Sequence, residues 1–201
     1  MVDESKEAHQ AVRLEHATIA WNGGEAVLTV GLGIAAGSLA LIAFGVDSVV
    51  EIFASVVVVW HLRSGHVQDV QRTRRALRLV SVAFIALAVV LVVAATRDLL
   101  AGRHAGTSIF GIIYLAVTAI VMFLLAGAKK RLADRTGAAP LRAEATMTYL
   151  DGILSVATLV GLTLNAAFAW WWADPIAALL VALAAMNEGR VNWKEATEVA
   201  G

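Results

Sequence analysis

The sequence predicts an all-α membrane protein with six transmembrane helices and both termini cytoplasmic. Three observations carry that prediction. Of the 201 residues, 59% are hydrophobic, against roughly 45–50% in soluble domains, and the mean hydropathy is +0.75. The apolar residues gather into six runs near the roughly 20 residues a helix needs to cross the hydrocarbon core. Of the sixteen Lys and Arg residues, all but Arg97 and Arg103 fall on the side of the termini, the asymmetry that marks cytoplasmic loops.

Residues 1–15 are polar and mixed in charge, without the apolar core or small-residue cleavage site of a signal peptide. They read as a cytoplasmic N-terminal segment. The membrane domain occupies 16–187, with spans over 16–36, 38–60, 77–95, 107–128, 143–167 and 171–186, and 188–201 remains as a short cytoplasmic tail. Gly37-Ser38 reads as a tight outer turn, with Gly33 and Gly37 at a spacing used for close helix packing. The run Arg72-Thr73-Arg74-Arg75 faces anionic lipid, and Gly137-Ala138-Ala139-Pro140 breaks the chain before the fifth span. Trp170, Trp171 and Trp172 fit an outer interfacial belt. Asp174-Pro175 then supplies an N-cap and a first helical residue for the sixth span.

Several function classes are disfavoured. A formal net charge of zero argues against nucleic-acid binding, and the absence of cysteine removes disulfides and thiolate metal sites. The histidines, His9, His16, His61, His66 and His104, lie outside or at the ends of spans, so none offers a mid-membrane base or ligand. His61 and His66 read as solvated cytoplasmic residues. With no His-Glu-x-x-His pair and no Gly-x-Ser-x-Gly elbow, no enzyme is expected, and no prosthetic group.

The polar groups inside the spans point elsewhere. Glu25, Asp47, Glu51 and Asp151 lie within apolar runs that hold no Lys or Arg at comparable depth. A charge at mid-bilayer costs roughly 2.5–3.5 kcal/mol even on the lenient insertion scale. Acids of one sign there are either protonated or hold a cation. Asp47 and Glu51 stand four apart, on one helix face. Counted from the inner span ends, Glu25 and Glu51 lie about 13–14 Å deep and Asp151 about 12 Å, at about 1.5 Å per residue. Asn22 shares a face with Glu25 and offers an amide oxygen; Met147 stands four before Asp151. Thr148 and Tyr149 read equally as pore lining or packing. Three carboxylates with a thioether match no single ion: oxygen suits manganese, magnesium or calcium, while zinc and iron(II) accept carboxylate too.

With these residues in place, the chain resembles the cation diffusion facilitator family, metal/proton antiporters with six membrane helices. Asp47 and Glu51 match the family's paired ligands on the second span, and Met147-Thr148-Tyr149-Leu150-Asp151-Gly152 falls where the second pair belongs. Gly37-Ser38-Leu39-Ala40-Leu41 and Trp170-Trp171-Trp172-Ala173-Asp174-Pro175-Ile176-Ala177-Ala178-Leu179 support the match, the latter resembling a short bacterial subgroup without the usual cytoplasmic C-terminal domain. The resemblance implies a divalent metal cation transporter, exporting zinc first, or manganese, iron or cobalt, from the cytoplasm by proton antiport. It also implies a homodimer and, for that subgroup, a bacterial inner membrane. Glu51 replaces the usual Asp, and Met147 stands where His is commonest. The competing expectation is a non-transporting membrane assembly or metal-buffering relative.

Overall fold

The computed structural model describes the backbone of residues 2–36, 39–63, 69–102 and 109–198, with side chains except at 2–5, 32–36, 39–44, 109–112, 158, 162, 165, 166, 174 and 177. The described residues form six helices: α1 (Val2–Ala36), α2 (Leu39–Leu62), α3 (Val70–Ala101), α4 (Ile109–Thr136), α5 (Ala139–Phe168) and α6 (Ala173–Glu198). No strand occurs among the described residues. The expected Gly37-Ser38 turn, His66, Arg103, His104 and the Asp174 side chain lie outside the described residues.

Local chemistry sets several helix ends. Asp69 caps α3, its side chain accepting from Arg72 N at 3.1 Å. Gly102 closes α3 in the left-handed conformation (φ 56°), donating back to Asp98 and Leu99. Gly137 (φ 66°) ends α4 with a 2.9 Å bond to Ala133 O, and Pro140 sits in the first turn of α5. Helix α6 begins at Ala173, one residue ahead of the expected cap at Asp174.

The helices outrun the apolar runs. Residues 6–15 continue α1, because Ala11 and Glu15 are fully buried against neighbouring helices and Glu7 pairs with Arg135 at 3.9 Å. Residues 188–198 continue α6, where Asn192 and Ala196 are buried and the Arg78 guanidinium lies 5.5 Å over the Trp193 ring. Ser81 on α3 donates to the Gly189 carbonyl on α6.

The main contacts pair α1 with α2, α4 with α5, and α3 with α6, with α1 also meeting α4 and α5 meeting both α2 and α3. Consecutive helices run antiparallel, so the start of α1 and the end of α6 lie at one end of the bundle. The pairs Glu7–Arg135 and His16–Arg63 (3.2 Å) tie helices together at that end.

Polarity is inverted relative to a protein in water. Val27, Val93, Leu124 and Leu183 are 62–77% exposed, whereas Glu25, Asp47, Glu51 and Asp151 are at most 6% exposed. Helix α2 shows how: Val46, Val49, Phe53, Val56 and Trp60 face outward at three- and four-residue spacing, turning Asp47, Ser48, Glu51 and Ser55 inward. Among the described residues, Gly45–Leu62, Val70–Ala101 and Ile113–Thr136 are long and apolar enough to cross a membrane. The protein is an integral membrane protein. Phe168, Trp170 and Trp172 form an exposed aromatic row where α5 meets α6, with Trp170 and Trp172 stacked at 5.4 Å.

Two glycines let helices meet beside the buried acids. A Cβ on Gly45 would fall on Val30 Cγ2 and within 2.8 Å of Thr29 Oγ1, both on α1. A Cβ on Gly152 would come within 2.9 Å of the Phe123 ring on α4. Gly45→Leu is therefore expected to destabilise the bundle by about 1–3 kcal/mol through overpacking, read as a fall in detergent unfolding temperature. Gly23→Ala, with nothing within 4 Å of the added carbon, should show no such loss.

Candidate metal centre

Three helices deliver acids to one interior layer. Helix α1 brings Asn22 and Glu25, α2 brings Asp47 and Glu51, and α5 brings Asp151, all buried. Hydrogen bonds from Asn22 to Glu51 and from Ser48 to Glu25 join the α1 and α2 groups directly. Like charges removed from water require compensating positive charge, protons or a cation.

Hydrogen bonding divides these residues by role. The Asn22 amide nitrogen donates to Glu51 Oε2 at 2.8 Å, which fixes the amide and leaves Asn22 Oδ1 as an acceptor. Glu25 is held on both oxygens, by the Ser48 hydroxyl at 3.2 Å and the Tyr114 hydroxyl at 2.5 Å. It is the most fully satisfied of the four acids. By contrast, Asn22 Oδ1, Glu51 Oε1 and Asp151 Oδ2 are buried and accept no hydrogen bond. One such oxygen comes from each of α1, α2 and α5. Buried acceptors without donors are rare in native structures, and a cation is the partner that suits oxygen atoms alone.

The arrangement is looser than a closed coordination shell. Among the described residues, no three His, Cys, Asp or Glu side chains converge at metal-holding distance. Met147 is fully buried, but inside the apolar core cluster with Leu141, Leu150 and Leu154, where its thioether has the surroundings of packing. Tyr149 lies at the periphery, half exposed with its ring 5.4 Å from that of Phe123, whereas Thr148 points inward.

Two sequence expectations are corrected. Lys129 is counted by charge asymmetry as a loop residue, yet it is fully buried, donating to both Glu144 oxygens at 2.7 Å and pairing with Glu15 at 3.3 Å. Glu15 and Glu144, also fully buried, escape notice because they sit at span ends, where charge is ordinary. His61 is fully buried rather than solvated, beside an Arg72 whose guanidinium lies 4.1 Å over the Trp60 ring and donates to Trp60 O at 2.6 Å. Tyr114 is missed by the sequence reading; its signal is a phenol in an apolar run, four residues before the Thr118 hydroxyl.

An apolar exterior around an interior layer of carboxylates defines an integral membrane protein with an acidic core. The chain belongs to the cation efflux family, a family of cation transporters: the Cation efflux transmembrane domain matches residues 16–198. None of the curated proteins matches it.

Tyr114→Phe should cost about 1–3 kcal/mol by withdrawing a donor from a buried acid. Thermal unfolding in detergent checks this, and the loss should shrink when Glu25→Gln is already present, since the two groups form one pair.

Proposed function

We propose that the protein exports a divalent metal ion from the cytoplasm in exchange for protons, with Asp47, Glu51 and Asp151 as the ion's carboxylate ligands. The observation that carries this reading is the set of unpartnered buried oxygens on Asn22, Glu51 and Asp151, contributed by three different helices. Asn22 adds a neutral oxygen and holds Glu51. Glu25, bonded to Ser48 and Tyr114, is a candidate proton carrier rather than a direct ligand. Met147, one turn from Asp151, is the soft donor within reach of the same helix face.

The metal is a first-row divalent ion. Zinc stands first because the family resemblance favours it; manganese, iron(II) and cobalt follow because the donor set is mostly oxygen. Six spans with cytoplasmic termini, a bacterial inner membrane and a homodimer complete the reading. Metal and protons compete for the same carboxylate oxygens. Protons arriving from outside displace the ion, the helices rock so that the site faces inward, and the protons leave there. The looser spacing of the acids and the apolar setting of Met147 favour one competing reading, a metal-buffering or assembly protein without transport.

Metal-stimulated proton flux in proteoliposomes separates the two. Flux is expected for one or two of zinc, manganese, iron(II) and cobalt and not for magnesium, and Asp151→Asn should abolish it. Absence of flux for every ion, from folded and inserted protein, would leave the buffering reading standing. Apparent metal affinity in detergent should weaken as pH falls, by up to about tenfold per pH unit for each proton displaced. A pH-independent affinity would exclude competition at the carboxylates.

A further inference from the structure

A second group of buried charges lies between the carboxylate layer and the end of the bundle that carries the termini. Lys129 Nζ is surrounded by oxygen: both Glu144 oxygens at 2.7 Å, Thr148 Oγ1 at 3.1 Å and Glu15 Oε2 at 3.3 Å. Ser55 Oγ and Thr148 Oγ1 also donate to Glu144 Oε1, at 2.9 and 3.2 Å. All five residues are fully buried, and neither Glu15 oxygen accepts a hydrogen bond of ordinary geometry. The ammonium thus occupies an oxygen cage that compensates one of its two carboxylates. A divalent cation would compensate both.

The position suits transit. Glu144 and Asp151 are seven residues apart on α5, about 10 Å along the axis, with Thr148 between them. Ser55 is one turn from Glu51 on α2, and Glu15 two turns from Asn22 on α1. Each helix of the carboxylate layer therefore repeats a polar group on the same inward face. The lysine stem is flexible, and its ammonium is a compact point charge, able to leave the cage toward the termini end when another cation arrives.

We propose that Glu15, Glu144 and Thr148 form a second cation site on the route to the carboxylate layer, and that the Lys129 ammonium is its built-in occupant, displaced by the divalent ion in transit. This deepens the transporter reading and rests on it. The test counts manganese bound per chain in purified full-length protein. One ion is expected for the native protein, two for Lys129→Gln, and one again for Lys129→Gln/Glu144→Gln. Asp151→Asn with Lys129→Gln should keep one, which assigns that ion to the second site. A folded Lys129→Gln that binds no more than the native protein would overturn the proposal, whereas a native protein that binds none of manganese, zinc, cobalt and iron(II) in the same assay would overturn the transporter reading instead. Should Lys129→Gln fail to fold, Glu144→Gln decides, since Glu15 and Lys129 then balance. Its proteoliposome turnover should fall about tenfold, as local concentration of the cation is lost, with manganese affinity at the carboxylate layer within twofold of native. Unchanged turnover would make the cluster a structural clamp and sink the proposal.

Discussion

Every feature of this bundle answers to the cost of placing carboxylates where water does not reach. Four acids in one layer repel one another, and each must find a donor, a proton or a cation. Glu25 finds two hydroxyls, on Ser48 and Tyr114, while Glu51 finds one amide, on Asn22. What remains on Asn22, Glu51 and Asp151 is acceptor capacity without donors. A structural core would be weakened by such atoms, whereas a site that must bind an ion and release it depends on them. The same cost explains the outward valines and leucines, since lipid receives the side chains that the interior excludes.

Close packing makes the layer. Gly45 stands two residues before Asp47 and lets α2 approach Val30 and Thr29 of α1. Gly152 follows Asp151 directly and lets α5 approach Phe123 of α4. With a side chain at either position, the helices that carry the acids would move apart. The acids would then lose the neighbours that bond them.

The two charged layers differ in how their charge is met. In the upper layer the partners are neutral, so the charge is left for an ion or protons. In the lower, Lys129 meets Glu144 and Glu15 directly. Thr148 links them, since it contacts Lys129 and Glu144 and lies three residues from Asp151 on the same helix. An interior polar column thus runs from the termini end toward the middle of the bundle, on faces of α1, α2, α4 and α5.

Much of this was legible in the sequence. Composition required a bilayer, and the paired acids at four-residue spacing on α2, with Glu25 and Asp151, identified the inward faces, because a charge in an apolar run has one tolerable direction to point. Side-chain partners in the carboxylate layer were not legible, because they join residues 23 to 89 positions apart, such as Ser48 with Glu25 and Tyr114 with Glu25. Lys129 and His61 were misjudged, and Glu15 passed over, for a related reason: at a span end, sequence cannot distinguish a solvated charge from one folded inward. Helix packing alone decides that, by closing α1 and α5 over the end of α4. Sequence by itself determined which residues could not face lipid; the tertiary structure decided which of them met a partner and which kept a buried oxygen without one.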